Sequence, residues 1–448
     1  NSIYAKEGAA QLIFGGIGAN GKLPVSVSEQ FKEGIGLVVQ SINRFRYSEP
    51  EEVGINKSNL FPIDSIAING IKEHAYPGCQ ILVAKKGKVI YNKSFGYHTY
   101  ENKRRVQNSD IYDIASITKI SASLLSLMKL QDEGKFNLNS TLHDYLPDLI
   151  PDTSIYANLV LREILAHQSG LQAWVPFYIK TMSKGVPNYD IYRLDSNDTY
   201  PYRVAENFYI HKYYPDTIFQ RILRGPIKSK EYRYSDLGYY FIMKIIEKQT
   251  GISLADYTAS FYASIGMSTT GYLPRKRFSL DRIPPTEDDK TFRKQLIKGD
   301  VHDPGSAMLG GVGGHAGVFS NANDLAKLMQ MYLNEGTYGG VKYLNKETIK
   351  EYTEQQYCPI DNENRRAAGF DKPFLQGYGG PTCDSISQSS FGHTGFTGTM
   401  AWADPEEEIV YIFLSNRIYP NAENKQLVKM DIRTTIQQVI YDAINKGR

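Results

Sequence analysis

Three cysteines in 448 residues are too few, and odd in number, to build a disulfide framework, and Cys79, Cys358 and Cys383 show no C-x-x-C spacing. They read as buried thiols. An excess of charge of one sign is also missing, since Lys+Arg 51 against Asp+Glu 48 leaves a net charge of +3 and the basic residues are scattered, which argues against nucleic acid as a partner. Nor does any apolar run reach the roughly 18 residues that a membrane span needs. His167, His302, His315 and Asp303 lack metal-ligand spacing of the H-E-x-x-H kind, so neither a metal nor another cofactor is expected. Tryptophan is rare at 2 residues against 33 tyrosines, and a tyrosine-rich surface suits a polar groove for sugars or peptides as well as a core edge. The first residue is Asn1, without a basic and apolar signal behind it, which reads as a processed product or part of something longer, any export signal lying upstream.

What is present is ordinary globular composition, 41% apolar and 22% charged, with length for a sizeable core. Residues 1–42 differ from the rest: a helix-like stretch at 9–14, a glycine-rich turn at 15–21, then Lys22-Leu23-Pro24-Val25-Ser26-Val27. The turn fits G-x-G-x-x-G, and 16–22 fits most of a phosphate loop. Context excludes both readings, because a helix precedes the glycines where a strand is required, Leu23 replaces the magnesium-binding hydroxyl, and Pro24 stands where a helix should begin. A polar stretch at 43–52 leads into the main body, which gives a division at 1–42 and 43–448.

The main body opens with a predicted helix at 60–73 and a hairpin of 80–84 and 89–96 around Lys85-Lys86-Gly87-Lys88. A second strand pair, 398–403 and 408–415, precedes a periodic helix at 425–445. Strands thus come from the two ends of this region, while 120–390 reads as helix and loop. An α+β fold is expected, with an antiparallel sheet flanked by N- and C-terminal helices and an all-helical insertion.

Three short constellations carry chemistry. Ser116-Ile117-Thr118-Lys119 opens a strongly apolar helix, and a spacing of three puts Ser116 and Lys119 on one face. A serine hydroxyl needs a neighbour to take its proton, a desolvated lysine can help, and a helix N-terminus favours an oxyanion beside the serine. Taken alone, S-x-x-K is better read as a helix cap with an exposed lysine. Tyr234-Ser235-Asp236 precedes a second apolar helix; the phenol could shuttle a proton, while Ser235 or Asp236 could equally be a cap. Gly392-His393-Thr394-Gly395 precedes a strand, where glycine would let substrate approach the edge. The glycine run 310–317 lacks the Lys-Ser or Lys-Thr of a phosphate loop and reads as a tight turn bordering the cleft. Trp174, Phe177 and Tyr178 either line the cleft or cover the helical region.

In this order, S-x-x-K, Y-S-D and H-T-G resemble the motifs of the serine β-lactamase and penicillin-binding-protein superfamily, in its class C-like branch of carboxypeptidases, esterases and D-aminopeptidases. The resemblance covers about residues 50 to 445 and includes 164–171 and 310–320. It implies an acyl-serine hydrolase with Ser116 as nucleophile, Lys119 and Tyr234 managing its proton, and the backbone N–H groups of Ser116 and Phe396 as oxyanion hole. Substrate would be held by Asp236, His393, Thr394, Gly395 and Phe396. Asp236 stands where that branch more often has Asn; a carboxylate there removes an amide donor and should raise the lysine's pKa. With His393 replacing a lysine as well, the expectation is little or no β-lactamase activity, and a small-molecule or peptide substrate from the cell wall.

Residues 1–42 resemble the C-terminal end of a family 3 glycoside hydrolase, in which A-A-Q-x-I-F-G-G leads into G-K-L-P-V-S-V. The catalytic regions of that family are absent from this stretch, so no glycosidase activity carries over. The resemblance implies a partner glycosidase domain upstream and an exported, periplasmic or cell-envelope protein.

Overall fold

The computed structural model describes residues 2–357, 364–374 and 380–447. Its centre is a six-stranded sheet. In chain order the strands are β1 (Arg46–Tyr47), β2 (Gly78–Lys85), β3 (Lys88–Gly96), β4 (Phe391–Gly395), β5 (Thr399–Asp404) and β6 (Ile409–Ser415), arranged β1-β3-β2-β6-β5-β4. The five longer strands pair antiparallel as expected, and only the two-residue β1 lies parallel, against β3. The β2–β3 hairpin turns at Lys86 and Gly87, both at positive φ (51° and 69°), the tight geometry whose twist matches the strands.

β2, β5 and β6 are buried along their whole length, so alternate side chains serve two cores. Ile81, Val83, Tyr411 and Phe413 meet helix α2 (Phe61–Lys72) and the last helix, α6 (Ile432–Asn445), through Ile63, Ala67, Ile436 and Ile440. Leu82, Ala84, Val410 and Ile412 meet the helices of the middle region through Leu124, Leu125 and Leu328. Each such buried aliphatic contributes about 1.5–3 kcal/mol.

Three expectations are refined. The helix predicted at 425–445 is broken: Asp431 adopts φ 46° between Gln426–Lys429 and α6. The apolar helix after Ser116 begins with a π-helical turn, Lys119–Ser123, before α3 (Leu124–Asp132). The middle region is helix-rich, with α4 (Leu237–Thr250) and α5 (Ala322–Leu333) at its centre, yet it is not all-helical. It carries a three-stranded sheet of Tyr192–Arg193, Tyr202–Ala205 and Phe208–Ile210, held by ring packing of Tyr192 on Phe208 at 4.4 Å and on Phe292 at 5.9 Å. Strands of two to four residues leave no alternation for a sequence pattern to show.

Residues 1–42 carry helix α1 (Ile3–Ile13) and leave Ile13, Phe14, Val27, Leu37 and Val38 exposed. The Gln11 side chain ties this segment to the main body, donating to Tyr47 O at 3.2 Å and accepting from Tyr47 N at 2.9 Å. Cys79 and Cys383 are free, buried thiols, and Cys358 lies outside the described residues. Among the described residues no helix is long and apolar enough to cross a membrane.

Candidate active site

Ser116 sits in a turn between a short strand, Tyr112–Asp113, and the π-helical turn. The residue before it, Ala115, is held in the left-handed region at φ 47°, a strained conformation for a residue with a side chain. Asp113 pins it there, accepting from Ala115 N at 2.9 Å with one oxygen and from His302 N at 2.7 Å with the other. On the far side Ile114 N donates to Val318 O. The helix that follows carries Lys119 one turn along, pointing back at the serine.

Lys119 is fully buried, and its ammonium donates to Ser116 Oγ at 2.9 Å and to the His315 carbonyl at 3.2 Å. The glycine run 310–317 therefore borders the site and supplies an acceptor to it. Lys119 Nζ also lies 2.7 Å from Asp236 Oδ1, so the carboxylate is its ion-pair partner. Burial pulls the ammonium down, but the Asp236 carboxylate and the Tyr234 phenol outweigh it and hold Lys119 above the ordinary lysine value. It keeps its proton at neutral pH.

Tyr234 donates to Ser116 Oγ at 2.9 Å from the opposite segment. Burial pushes this phenol above its usual value, and Lys119 offsets the rise only in part. The stretch 164–171 fixes the segment's path: Arg233 N donates to His167 O at 2.9 Å, and Ser235 N donates to His167 Nδ1 at 3.1 Å. Ser235 Oγ accepts from Leu237 N at the start of α4, so the capping role falls to Ser235. Asp236 makes no side-chain cap.

The third motif forms β4. Gly395 is required there by a close approach: a Cβ would stand 2.5 Å from Ile114 O. The glycine thus seats the strand against the Ser116 segment. Thr397 Oγ1 donates to Asp113 O at 2.7 Å and Thr399 Oγ1 to Ile114 O at 3.1 Å, which repeats the tie on both sides. Thr394 is half-buried, and Phe396 is 53% exposed, stacked on His302 and under the Arg417 guanidinium. Among the described residues, neither the Ser116 nor the Phe396 backbone N–H has an acceptor.

His393 is only 2% exposed, with Nε2 3.3 Å from Arg366 and Nδ1 2.6 Å from Thr394 O. A guanidinium can only donate, so Nε2 accepts and Nδ1–H donates to the carbonyl. Burial, and then the charges of Arg366 and Lys119, push His393 well below the ordinary histidine value. His393 is neutral. The positive charge of this corner belongs to Arg366, which lies over the Tyr234 ring at 5.2 Å and pairs with Asp371 at 3.3 Å.

The structure therefore brings Ser116, Lys119, Tyr234 and Asp236 into contact and sets β4 alongside. Arg366 and Asp113 were missed from sequence, because neither stands in a motif and each acts through a partner distant in the chain; His167 stood in the stretch 164–171 without its role beside Tyr234 being read. Of the aromatic trio, Phe177 is buried, Tyr178 stacks on Phe292 at 5.0 Å, and only Trp174 is exposed, at 46%.

The chain belongs to the beta-lactamase family, a family of serine hydrolases, whose model matches residues 63–429. It is 29% identical over 401 residues to a protein of Escherichia coli (strain K12) named "Putative D-alanyl-D-alanine carboxypeptidase", with 83% of this chain and 85% of that one covered. A protein of the same name from Salmonella heidelberg (strain SL476) is 28% identical over 416 residues, covering 85% and 88%. Among solved structures, a penicillin-binding-protein homologue from Caulobacter crescentus superposes with a TM-score of 0.61 at 16% identity, over 87% of this chain and 98% of that one. The D-amino acid amidase from Ochrobactrum anthropi SV3 gives 0.60 at 18%, over 87% and 99%. At such identities the likeness is one of fold, and the α+β architecture is that of these proteins.

Proposed function

We propose that this protein hydrolyses peptides with a D-amino acid end, of the cell-wall type, through an acyl-serine intermediate on Ser116, with weak or no β-lactamase activity. The observation that carries this is the convergence of Lys119 Nζ and Tyr234 OH on Ser116 Oγ, each at 2.9 Å. Ser116 Oγ attacks the substrate carbonyl, the lysine and tyrosine relay its proton, and the unpaired N–H groups of Ser116 and Phe396 receive the oxyanion, a contribution of roughly 3 kcal/mol per donor. Tyr234 then protonates the leaving amine, and water releases the acyl group by the same path.

The names carried by the curated relatives support the D-alanyl peptide class. The β-lactam reading is disfavoured by two features: Asp236 offers a negative charge in place of an amide donor, and His393 is neutral and turned into the protein. The class C-like branch, the glycosidase-derived origin of residues 1–42 with a glycosidase domain upstream, and an exported, cell-envelope location complete the proposal.

A fluorescent penicillin and a fluorophosphonate should both be tested as labels on the wild type and on Ser116→Ala, alongside release of D-alanine from a peptide ending in D-Ala-D-Ala. Ser116-dependent labelling with D-alanine release is expected. Labelling with ester but not peptide hydrolysis would make the protein an esterase of the same fold, and no Ser116-dependent label at all would leave a peptidoglycan-binding protein without turnover.

A further inference from the structure

Both neighbours of Ser116 Oγ present protons to it. Lys119 holds its ammonium and already donates to Ser116 Oγ and His315 O; Tyr234 is a neutral phenol donating to the same oxygen. An ammonium has no lone pair, so in this state Lys119 cannot accept the serine proton. It must first lose one. Among the described residues the carboxylate within reach is Asp236, with Oδ1 2.7 Å from Lys119 Nζ and no other hydrogen-bond partner on that oxygen.

Resting on the acyl-serine reading, we infer that Asp236 is the proton store of the site, a positioning residue that acts through Lys119. As Ser116 Oγ bonds to the carbonyl carbon, one N–H bond of Lys119 breaks and an O–H bond forms on Asp236. The serine O–H breaks in turn and its proton completes the ammonium again, while the carbonyl electron pair moves onto the oxyanion. On collapse, Tyr234 gives its proton to the leaving nitrogen, Lys119 restores the phenol, and Asp236 returns the stored proton to Lys119. The net transfer is one proton from Ser116 to the leaving group. In the first transfer the pair passes from ammonium and carboxylate to amine and carboxylic acid; once the serine proton completes the ammonium, the pair carries one positive charge, which balances the oxyanion that appears with it.

The environment favours such an exchange. Tyr234, Tyr239 and Tyr240 face the pair from the Tyr234 segment and α4, His167 and His393 from the neighbouring segments, His315 from the glycine run, and Arg366 from beyond Tyr234. His167 and His393 are both pushed well below the ordinary histidine value by burial, so neither competes for the proton at neutral pH. Asp236 is also the member of the pair that reaches the cleft, its side chain 20% exposed against 0% for Lys119.

The test is the pH profile of kcat/KM on a nitrophenyl ester, from about pH 5 to about pH 10, for wild type, Asp236→Asn and Asp236→Glu, with thermal midpoints recorded for each. A wild-type profile flat from neutral to alkaline pH is expected. Asp236→Asn should lose on the order of 100-fold at neutral pH and regain rate as pH rises, because Lys119 then lacks the charge that holds its proton and burial draws it down. Asp236→Glu should restore the flat shape. An Asp236→Asn profile parallel to wild type, or one higher at neutral pH, would overturn the inference and leave the acyl-serine reading standing. A wild type without Ser116-dependent hydrolysis would overturn both.

Discussion

Two of the basic neighbours of Tyr234, Lys119 at 5.2 Å from its ring and His393 with ring centroids 6.0 Å apart, are both withdrawn from water. Burial acts on each in the same direction, yet Lys119 ends protonated and His393 neutral. The ordinary value of a lysine lies far above neutral pH and that of a histidine just below it, and the nearest charges widen that gap: a carboxylate beside Lys119, a guanidinium beside His393. The positive charge beside β4 is carried by Arg366, itself paired with Asp371, and not by His393, where the motif would place it.

The comparison can be broken at either base. Lys119→Met keeps the side-chain volume and removes the ammonium, and ester hydrolysis should fall by about 10²–10⁴, read from initial rates at saturating substrate. A loss below tenfold would show that Lys119 does not handle the proton. Arg366→Met removes the cation beside His393, so the imidazole should climb back toward the ordinary histidine range, followed by its ring-proton NMR shifts across pH. Hydrolysis should drop by roughly tenfold, since Tyr234 loses a cation over its ring. An unmoved His393 would mean that burial alone holds it neutral.

A second lysine supplies the smallest and cleanest contrast. Among the described residues the Lys372 ammonium donates only to Ser389 O and has no carboxylate in ion-pair contact, and burial pushes it down to about 8. Its folded value lies below its unfolded one, so the cost of burying its charge is fully present below about pH 8 and gone once pH exceeds the unfolded value. Lys372→Met should raise stability at neutral pH by on the order of 1 kcal/mol, with the gain fading in alkaline buffer, as followed by denaturant midpoints at both pH values. A gain that persists at high pH would point to packing instead of charge.

Local features of the fold were legible before the coordinates. Runs of β-forming residues marked β2, β3, β5 and β6 because those strands are long enough to show them, and Gly87 marked the first hairpin. The Ser116 and Lys119 spacing was equally local. What escaped was non-local or geometric: the π-helical turn at 119–123, which has no compositional sign, the two-residue strands, and Arg366, whose position depends on a fold that brings it beside β4. At Gly395 a sequence shows that a side chain is unwelcome without showing which backbone, here the Ile114 carbonyl, one would meet.

That glycine has a consequence for how the cleft could change its substrate. With Ile114 O 2.5 Å from where a Cβ would be, and Thr397 and Thr399 bonded to the same segment, the nucleophile turn and the strand beside it form one rigid block that tolerates no new side chain. Variation must then come from residues hung on that block rather than built into it. Phe396, 53% exposed beside β4, is where an evolving or engineered cleft has room to be remade.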